Sequence, residues 1–460
     1  MFERLKSLFT GKRSYNGAGG GRRGQGIHGM PAPLAAASVA RGPLAVRARY
    51  AVANNPLAAA GVSAWVTQAI GAGIVPGSRH SDKAKREALN AAHAAWTDVS
   101  DDEGRTDWYG QQAALFRSMV IVGEGLALML NAEDGLRIRV LDPEQLDASY
   151  STTLTNGSRI VQGVEFDSSG RRVAYHVFNN PVGLEFTVQR QRQRIPAEDV
   201  IHCFRQDWPG QVRGLSWFAP VLVRLSDLDG WRDAQLMRQR VAAAFAGFIT
   251  SADGAGSPMD GEQQGNTLVG GLEPGTLKYL AHGEDIKFSN PAQIGTDVVD
   301  FASITEREIA AGLGLPAHAF GDVTKANYSS LKQATTAWRH RVETVQWHTF
   351  IPQVCVPVWR RWATLEVLSG RVATTVAEAM PVKHTTPRWP SLEPVKDVTA
   401  ETMELAAGLT TRRALLAARG EDVEAVDAEL AEEQGRAKSL GLVFGKAAND
   451  NEPPAASAAA

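Results

Sequence analysis

The segment QDWPGQVRGLSWFAPVL, residues 206–222, constrains this chain more than any other stretch. Pro209-Gly210 reads as a turn, and Gly214 as a position whose backbone takes a shape that other residues resist. Ser216 reads as a helix N-cap and Pro220 as a first-turn residue, where a missing N–H costs little. Behind them VLVRLSDLDGWRDAQLMRQRVAAAFAGFIT keeps helical periodicity for about eight turns. A loop built on Gly210, Gln211, Arg213, Gly214, Trp217 and Pro220 therefore feeds one long helix. Arg213 is expected to pair with an acidic group or with carbonyls at that junction.

Composition narrows the class. The chain has 460 residues, 44% of them hydrophobic, enough for a sizeable core and two or three domains. Its 48 basic and 50 acidic residues give a net charge of −2, which argues against gripping nucleic acid by bulk charge but not against a surface past which it slides. Two distant cysteines, Cys203 and Cys355, cannot build a disulfide framework and point to a reducing compartment. Glu3, Arg4 and Lys6 break up the apolar core that a signal peptide needs. The uncharged run from Tyr50 to Ser78 is long enough to span a bilayer, but Asn54, Asn55, Pro56, Gln68 and its glycines favour a buried helix over Pro56 to Gln68.

The expected fold class is α+β. Residues 1–45, rich in Gly, Ala, Arg and Pro, read as a flexible basic arm. Its Arg22 and Arg23 either touch nucleic acid or scaffold or are simply solvated. Helical patterns at 46–70, 81–97 and 106–121 precede strand-like runs: EGLALMLN, LRIRVLDP, IVQGVEFD, RRVAYHVF and DVIHCF. Asn156-Gly157 and Ser169-Gly170 read as hairpin turns. Residues 249–293 form a polar, turn-rich insertion between the long helix and a second one at about 295–312. A Gly/Pro-containing loop leads to a third helix at about 329–368, in which Pro352 and Pro357 are expected to make kinks. Two shorter helices and an unstructured tail close the chain.

Searches for an active site fail. Gly441 to Ala447, GLVFGKA, is too short for a phosphate-binding loop and lacks its hydroxyl. Phe218 stands where a serine elbow needs glycine. His340 and His348 lie eight residues apart, and Cys203 beside His202 has no partner pair, so no metal-ligand spacing occurs. Catalytic residues, metal and cofactor are accordingly none, and the chain reads as a non-enzyme. The charges of the first long helix, including Arg232, Asp233 and Arg238, read either as a solvated face or as ion pairs between subunits of a ring. The second helix carries Asp297, Asp300, Glu306 and Glu308 against Arg307, an acidic face that would repel phosphate if it lined a channel.

The signature loop, with NNP at Asn54, GEG at Gly123, LDPEQL at Leu141, GVEFD at Gly163, AYHV at Ala174 and RIPAEDVIH at Arg194, resembles the lambda type of tailed-bacteriophage portal proteins over roughly residues 40–435. That resemblance implies a twelve-subunit ring at one capsid vertex of the virion, assembled in the host cytoplasm without stable membrane association. Double-stranded DNA would pass through its channel during packaging and ejection. It implies as partners the large terminase subunit, a head-completion or adaptor protein, and the major capsid or scaffolding protein. By chain order it implies a wing at 46–212, stem helices at 213–248 and 294–315, a clip at 249–293, and a tunnel loop at 316–330. The kinked helix and wing return would take 331–395, a crown 396–440 and a tail 441–460. In the tunnel loop Lys325, flanked by Asn327 and Tyr328, is expected either to meet passing phosphates or to cap a nearby carbonyl. A different head–tail connector, a capsid-maturation protein and an unrecognised nuclease or hydrolase are the competing readings.

Overall fold

A computed structural model describes residues 30, 32–155, 157–180, 191–244, 248–251, 262–264, 267–269, 284–287, 296–320, 328–389, 393–419 and 423–442. Helices α1 (Pro33–Asn54) and α2 (Pro56–Ala69) come first, then β1 (Val75–Ser78), α3 (Lys83–Thr97) and α4 (Trp108–Val122). Strands follow: β2 (Glu124–Ala132), β3 (Gly135–Leu141), β4 (Thr152–Thr153), β5 (Arg159–Val161), β6 (Val164–Phe166), β7 (Arg172–Phe178), β8 (Arg192–Pro196) and β9 (Val200–Phe204). Helix α5 (Leu222–Ala244) leads to short strands β10 (Phe248–Ser251), β11 (Glu262–Gln264), β12 (Thr267–Val269) and β13 (Glu284–Lys287). After these come α6 (Thr296–Gly312), α7 (Tyr328–Val345), α8 (Val356–Leu368), α9 (Val376–Ala379), β14 (Val382–Thr385), α10 (Pro394–Ala406), α11 (Arg412–Ala418) and α12 (Val423–Leu440).

The architecture is α+β. Strand β2 is the middle of an antiparallel sheet ordered β3-β2-β9, and β4 to β8 form a five-stranded antiparallel meander. Leu126, Leu146, Val164, Tyr175 and Val177 fill a smaller core between the sheets. The main core lies under the helices, where Trp65, Trp108, Phe116, Trp217, Phe350, Trp359 and Trp362 are buried. Trp65 meets Trp217 edge-on at 4.8 Å and donates its indole N–H to the Leu313 carbonyl at 2.9 Å. One side chain thus joins α2, the signature loop and the inner end of α6.

The NNP sequence explains the break between α1 and α2. Pro56 cannot continue α1 but suits a first turn. The Asn55 side chain caps α2 by accepting from the Ala58 N–H at 3.0 Å, and its amide donates to Asp229 on α5 at 2.8 Å.

Several expectations need correction. The arm does not extend to residue 45: α1 begins at Pro33, and Arg41, Ala45 and Ala48 are buried. Arg22 and Arg23 lie outside the described residues, as does the tail beyond 442. IVQGVEFD is not one strand but the hairpin β5–β6. Gln162 (φ 50°) and Gly163 (φ 82°) both take left-handed backbone, as a two-residue primed turn requires. A non-glycine there is held in place: the Gln162 N–H donates to Ser151 Oγ at 2.9 Å and its side-chain amide to Ser38 Oγ at 2.7 Å. The run RQRIP, not read as a strand in the sequence, is β8. In place of two kinks, α7 passes into π-helical turns over Gln346–Cys355, whose wider register accommodates Pro352, while Pro357 sits in the first turn of α8. Three helices, not two, occupy 394–440. Among the described residues no helix is long and apolar enough to cross a membrane.

Trp65→Phe should keep the ring packing but leave the buried Leu313 carbonyl without its donor, a loss of about 1–3 kcal/mol. Urea unfolding of the two proteins measures it; an unchanged midpoint would show that this bond does not anchor α6.

Candidate functional site

The sequence around Glu124 is apolar on both sides, MVIVGEGLALML, so its carboxylate enters the interior with the strand. Gly123 ends α4 in left-handed backbone (φ 102°) and turns the chain straight into β2. Glu124 is fully buried, which demands charge partners. Arg41 of α1 donates to its Oε1 at 2.9 Å, His202 of β9 approaches its Oε2 at 2.8 Å, and Arg213 grips both oxygens. The Gly214 backbone N–H adds a bond of 3.3 Å.

Arg213 spends its whole guanidinium here. Beyond Glu124, its Nη1 reaches the carbonyls of Gln162 (3.1 Å) and Leu146 (3.4 Å), and its Nη2 reaches that of Pro143 (3.0 Å). Those carbonyls belong to the β5–β6 turn and to the LDPEQL turn, where Asp142 and Gln145 form a reciprocal cap. Gln211 shapes the approach: its Oε1 accepts from the N–H groups of Asp207 and Trp208, and its Nε2 donates to the Arg213 carbonyl at 2.9 Å. Burial alone would raise the Glu124 pKa; Arg213 above all, then hydrogen bonds from His202 and Arg213, instead hold its carboxyl well below the usual range. Burial, against the pull of Glu124, lowers His202 to about 4, so the imidazole is neutral. Burial and the neighbouring Arg213 lower Arg41.

Gly210 needs its freedom of rotation, with φ 82°, but Gly214 does not. Gly214 is required for space: a Cβ there would overlap the Gly123 carbonyl, and one on Gly123 would overlap the Leu215 backbone. The two backbones touch where the end of α4 meets the loop leading into α5. The long helix also starts later than expected, at Leu222. Ser216 caps a tight turn instead, accepting from the Phe218 N–H at 3.2 Å and donating to the Ile121 carbonyl at 2.6 Å. Pro220 lies in that turn, outside the helix, and Trp217 is buried beneath it.

The stem charges are arranged differently from the expectation. Arg232 is taken within its own chain by Glu306, and Arg224 approaches Glu308 at 3.5 Å. Trp231 packs on Phe301 at 5.1 Å between centroids. So α5 and α6 form a hairpin joined by ion pairs, and Glu306 and Glu308 are not a bare acidic face. Asp233 and Arg238 are exposed and make no ion pair among the described residues. Asp300 is exposed. Asp297 lies in the first turn of α6, and Tyr328 opens α7. Lys325 and Asn327 lie outside the described residues, as does most of 249–293.

Sequence reading missed Arg41, Glu124 and His202. The available signal was the lone carboxylate in an apolar run. Among the described residues no group of three or more His, Cys, Asp or Glu is placed to hold a metal ion. Cys203 and Cys355 are buried free thiols, and burial pushes Cys203 up to about 12.

The signature loop and the GEG, LDPEQL and GVEFD segments therefore converge on one buried junction. A family profile described as phage portal protein, lambda family, matches residues 21–346. The chain belongs to that family. It is similar to the portal protein of Escherichia phage N15, with 24% identity covering 97% of this chain and 93% of that one. Similarity extends to a probable portal protein of Halomonas phage phiHAP-1, with 23% identity over 69% of this chain; the alignment spans 63% of that relative's length. Among solved structures it is similar to a chain from the neck of an empty gene transfer agent particle computed with C6 symmetry. That match has 18% identity, covers 81% of this chain and 92% of the other, and has a TM-score of 0.49.

Two measurements test the junction. Glu124→Gln leaves Arg41 and Arg213 buried without a counter-charge and should cost about 3–5 kcal/mol in urea unfolding. A change under 1 kcal/mol on the same scale would show that the carbonyls alone suffice. The second is a pH dependence. His202 and His384 are lowered to about 4 and His93 to about 3, each chiefly by burial, from 6.5. Between 6.5 and about 4 the unfolded chain binds more protons than the folded one, so stability should fall as pH falls through that window. His93→Phe should flatten this slope; an unaltered slope would remove His93 from it.

Proposed function

We propose that this chain is the subunit of a closed ring at the portal vertex of a tailed-phage-type particle, whose channel carries double-stranded DNA during packaging and ejection. The observation that carries the reading is the stem hairpin. Its root is core: Leu225, Leu228, Ile309 and Ala310 are buried. Further out Leu236, Met237, Phe301 and Ile304 are 49–58% exposed, and Asp233 and Arg238 lack partners among the described residues. An apolar, charge-bearing hairpin that leaves its own core is suited to burial against the next copy around a rotation axis. There a heterologous contact repeats until it closes. Family membership supports the same reading and favours twelve copies.

In this ring Asp233 and Arg238 are subunit-interface residues, and Arg232 acts within one subunit. Residues 249–293, between the stem helices, would be the clip that docks the large terminase subunit and then a head-completion or adaptor protein. Capsid or scaffolding protein would surround the wing, and 396–440 would be the crown. The loop holding Lys325, Asn327 and Tyr328 would face the DNA, with the stem carrying Asp297, Asp300, Glu306 and Glu308 along the channel. The function is architectural, with no catalytic step and no cofactor, and its place is the virion.

Sedimentation of the purified full chain tests the ring: a species on the order of ten monomer masses is expected from closed cyclic symmetry. A monodisperse monomer at micromolar concentration and moderate salt would overturn the reading. Arg238→Glu should weaken assembly with the subunit fold intact by circular dichroism. Lys325→Glu should leave ring and procapsid assembly normal and prevent completion of DNA packaging; full-length packaging by that variant would take Lys325 out of the mechanism.

A further inference from the structure

Where α6 ends, an open groove of about 450 Å³ runs between the signature loop and α7. Its floor is apolar, built from Trp65, Trp217, Leu313 and Val345, and its rim carries Arg205 and Arg341. Both guanidiniums are held in position. Arg205 lies over the Trp217 ring at 4.9 Å and is steadied by Asp207 at 2.7 Å, while Arg341 donates to the Gly314 carbonyl at 3.1 Å. An apolar floor with a cationic rim suits an apolar side chain carried beside a carboxylate.

Helix α10 offers that chemistry, and its apolar side chains are left exposed. None of its residues is buried. Val395, Val398 and Leu405 are 80%, 51% and 41% exposed, and helical spacing puts them on one stripe. Glu401 borders that stripe, and Asp397 and Glu404 continue the acidic side beyond it. Glu404 makes no ion pair among the described residues, whereas Glu401 is held by Arg419. Within one subunit α10 is tethered away from the groove. Glu393, just before it, pairs with Lys332 near the start of α7 at 3.1 Å, nine residues and so about 13 Å along that helix from Arg341. A helix with this much exposed apolar surface needs a cover, and the groove has the complementary charge.

We propose that the groove of one copy receives the Val395–Val398–Leu405 stripe of α10 from a neighbouring copy, with Arg205 and Arg341 facing its acidic border. The contact rests on the ring reading and adds a second belt of subunit interaction beyond the stem.

The test joins two copies through a disulfide. Full-length Thr344→Cys and Val398→Cys chains are co-expressed and assembled, then oxidised under mild conditions; the native Cys203 and Cys355 are buried. Disulfide-linked dimers on non-reducing gels are expected from the mixture and from neither variant alone. Arg341→Glu or Glu404→Arg should abolish the cross-link, and the two changes together should restore it. Rings that form by sedimentation but give no dimer would overturn the groove contact and leave the ring standing. A chain that stays monomeric would overturn both. A cross-link formed only in a single chain bearing both cysteines would show that α10 folds onto its own groove, which also refutes the proposal.

Discussion

One carboxylate sets the geometry of the subunit. Glu124 is buried where α4 turns into β2, and a buried charge is tolerated only with partners in good geometry. Its partners come from far along the chain: Arg41 from α1, His202 from β9, and Arg213 from the loop that enters the stem. An intact buried ion pair adds little stability over an apolar replacement, but one with a missing member is costly. Its effect is selective, since any arrangement that displaces α1, β9 or the loop leaves a charge stranded. Two arginines and one carboxylate with a neutral imidazole leave one positive charge at this buried site. The carbonyls of Pro143, Leu146 and Gln162 face it and supply the remaining negative potential.

That junction also fixes the entry to α5 against the body of the fold. Gly123 and Gly214 bring two backbones closer than any side chain allows, and the turn at Ser216 is bonded to the end of α4 through Ile121. On the opposite side Trp65 holds the last turn of α6 by the Leu313 carbonyl. Both stem helices are thus fixed at their inner ends to the same body. Among the described residues, the contacts further out on the hairpin include the Arg232–Glu306 ion pair and the Trp231–Phe301 aromatic contact. Such surface pairs contribute at most about 1 kcal/mol each, so order there depends on what the hairpin packs against.

Local signals were legible in the sequence and long-range ones were not. The long helices, the turn at Gly210 and most strands follow from periodicity and turn residues. Arg213 was readable as an arginine that needs an acceptor, yet its acceptor lies 89 residues away and carries no mark beyond being a lone acid in an apolar run. The arm was read too long because α1 is rich in alanine, carries Gly42 and Pro43 at its middle, and has hardly any amphipathic pattern. Its hold on the body comes from Arg41 and two buried alanines. Gln162-Gly163 went unnoticed because a non-glycine at positive φ is unusual unless its side chain and N–H are both held. Gly214 was read as needing a backbone shape that other residues resist, when its role is to leave room for another strand of backbone.

On the ring reading, the pairing of these charges changes the physical picture of a channel wall. A row of unpaired carboxylates would repel DNA by net charge, a long-range effect that salt weakens. Here Glu306 and Glu308 face Arg232 and Arg224 in their own chain, so each pair presents a short-range dipole instead. The arginines matter as much as the acids, because a guanidinium already bound to a carboxylate offers a phosphate little gain for the counterions it would release. On the ring reading, the wall then fails to stick because its cations are occupied, and not chiefly because its acids repel. Passage through such a wall should depend weakly on salt. Any strong salt dependence belongs to cations outside these pairs, the loop of Lys325 first among them.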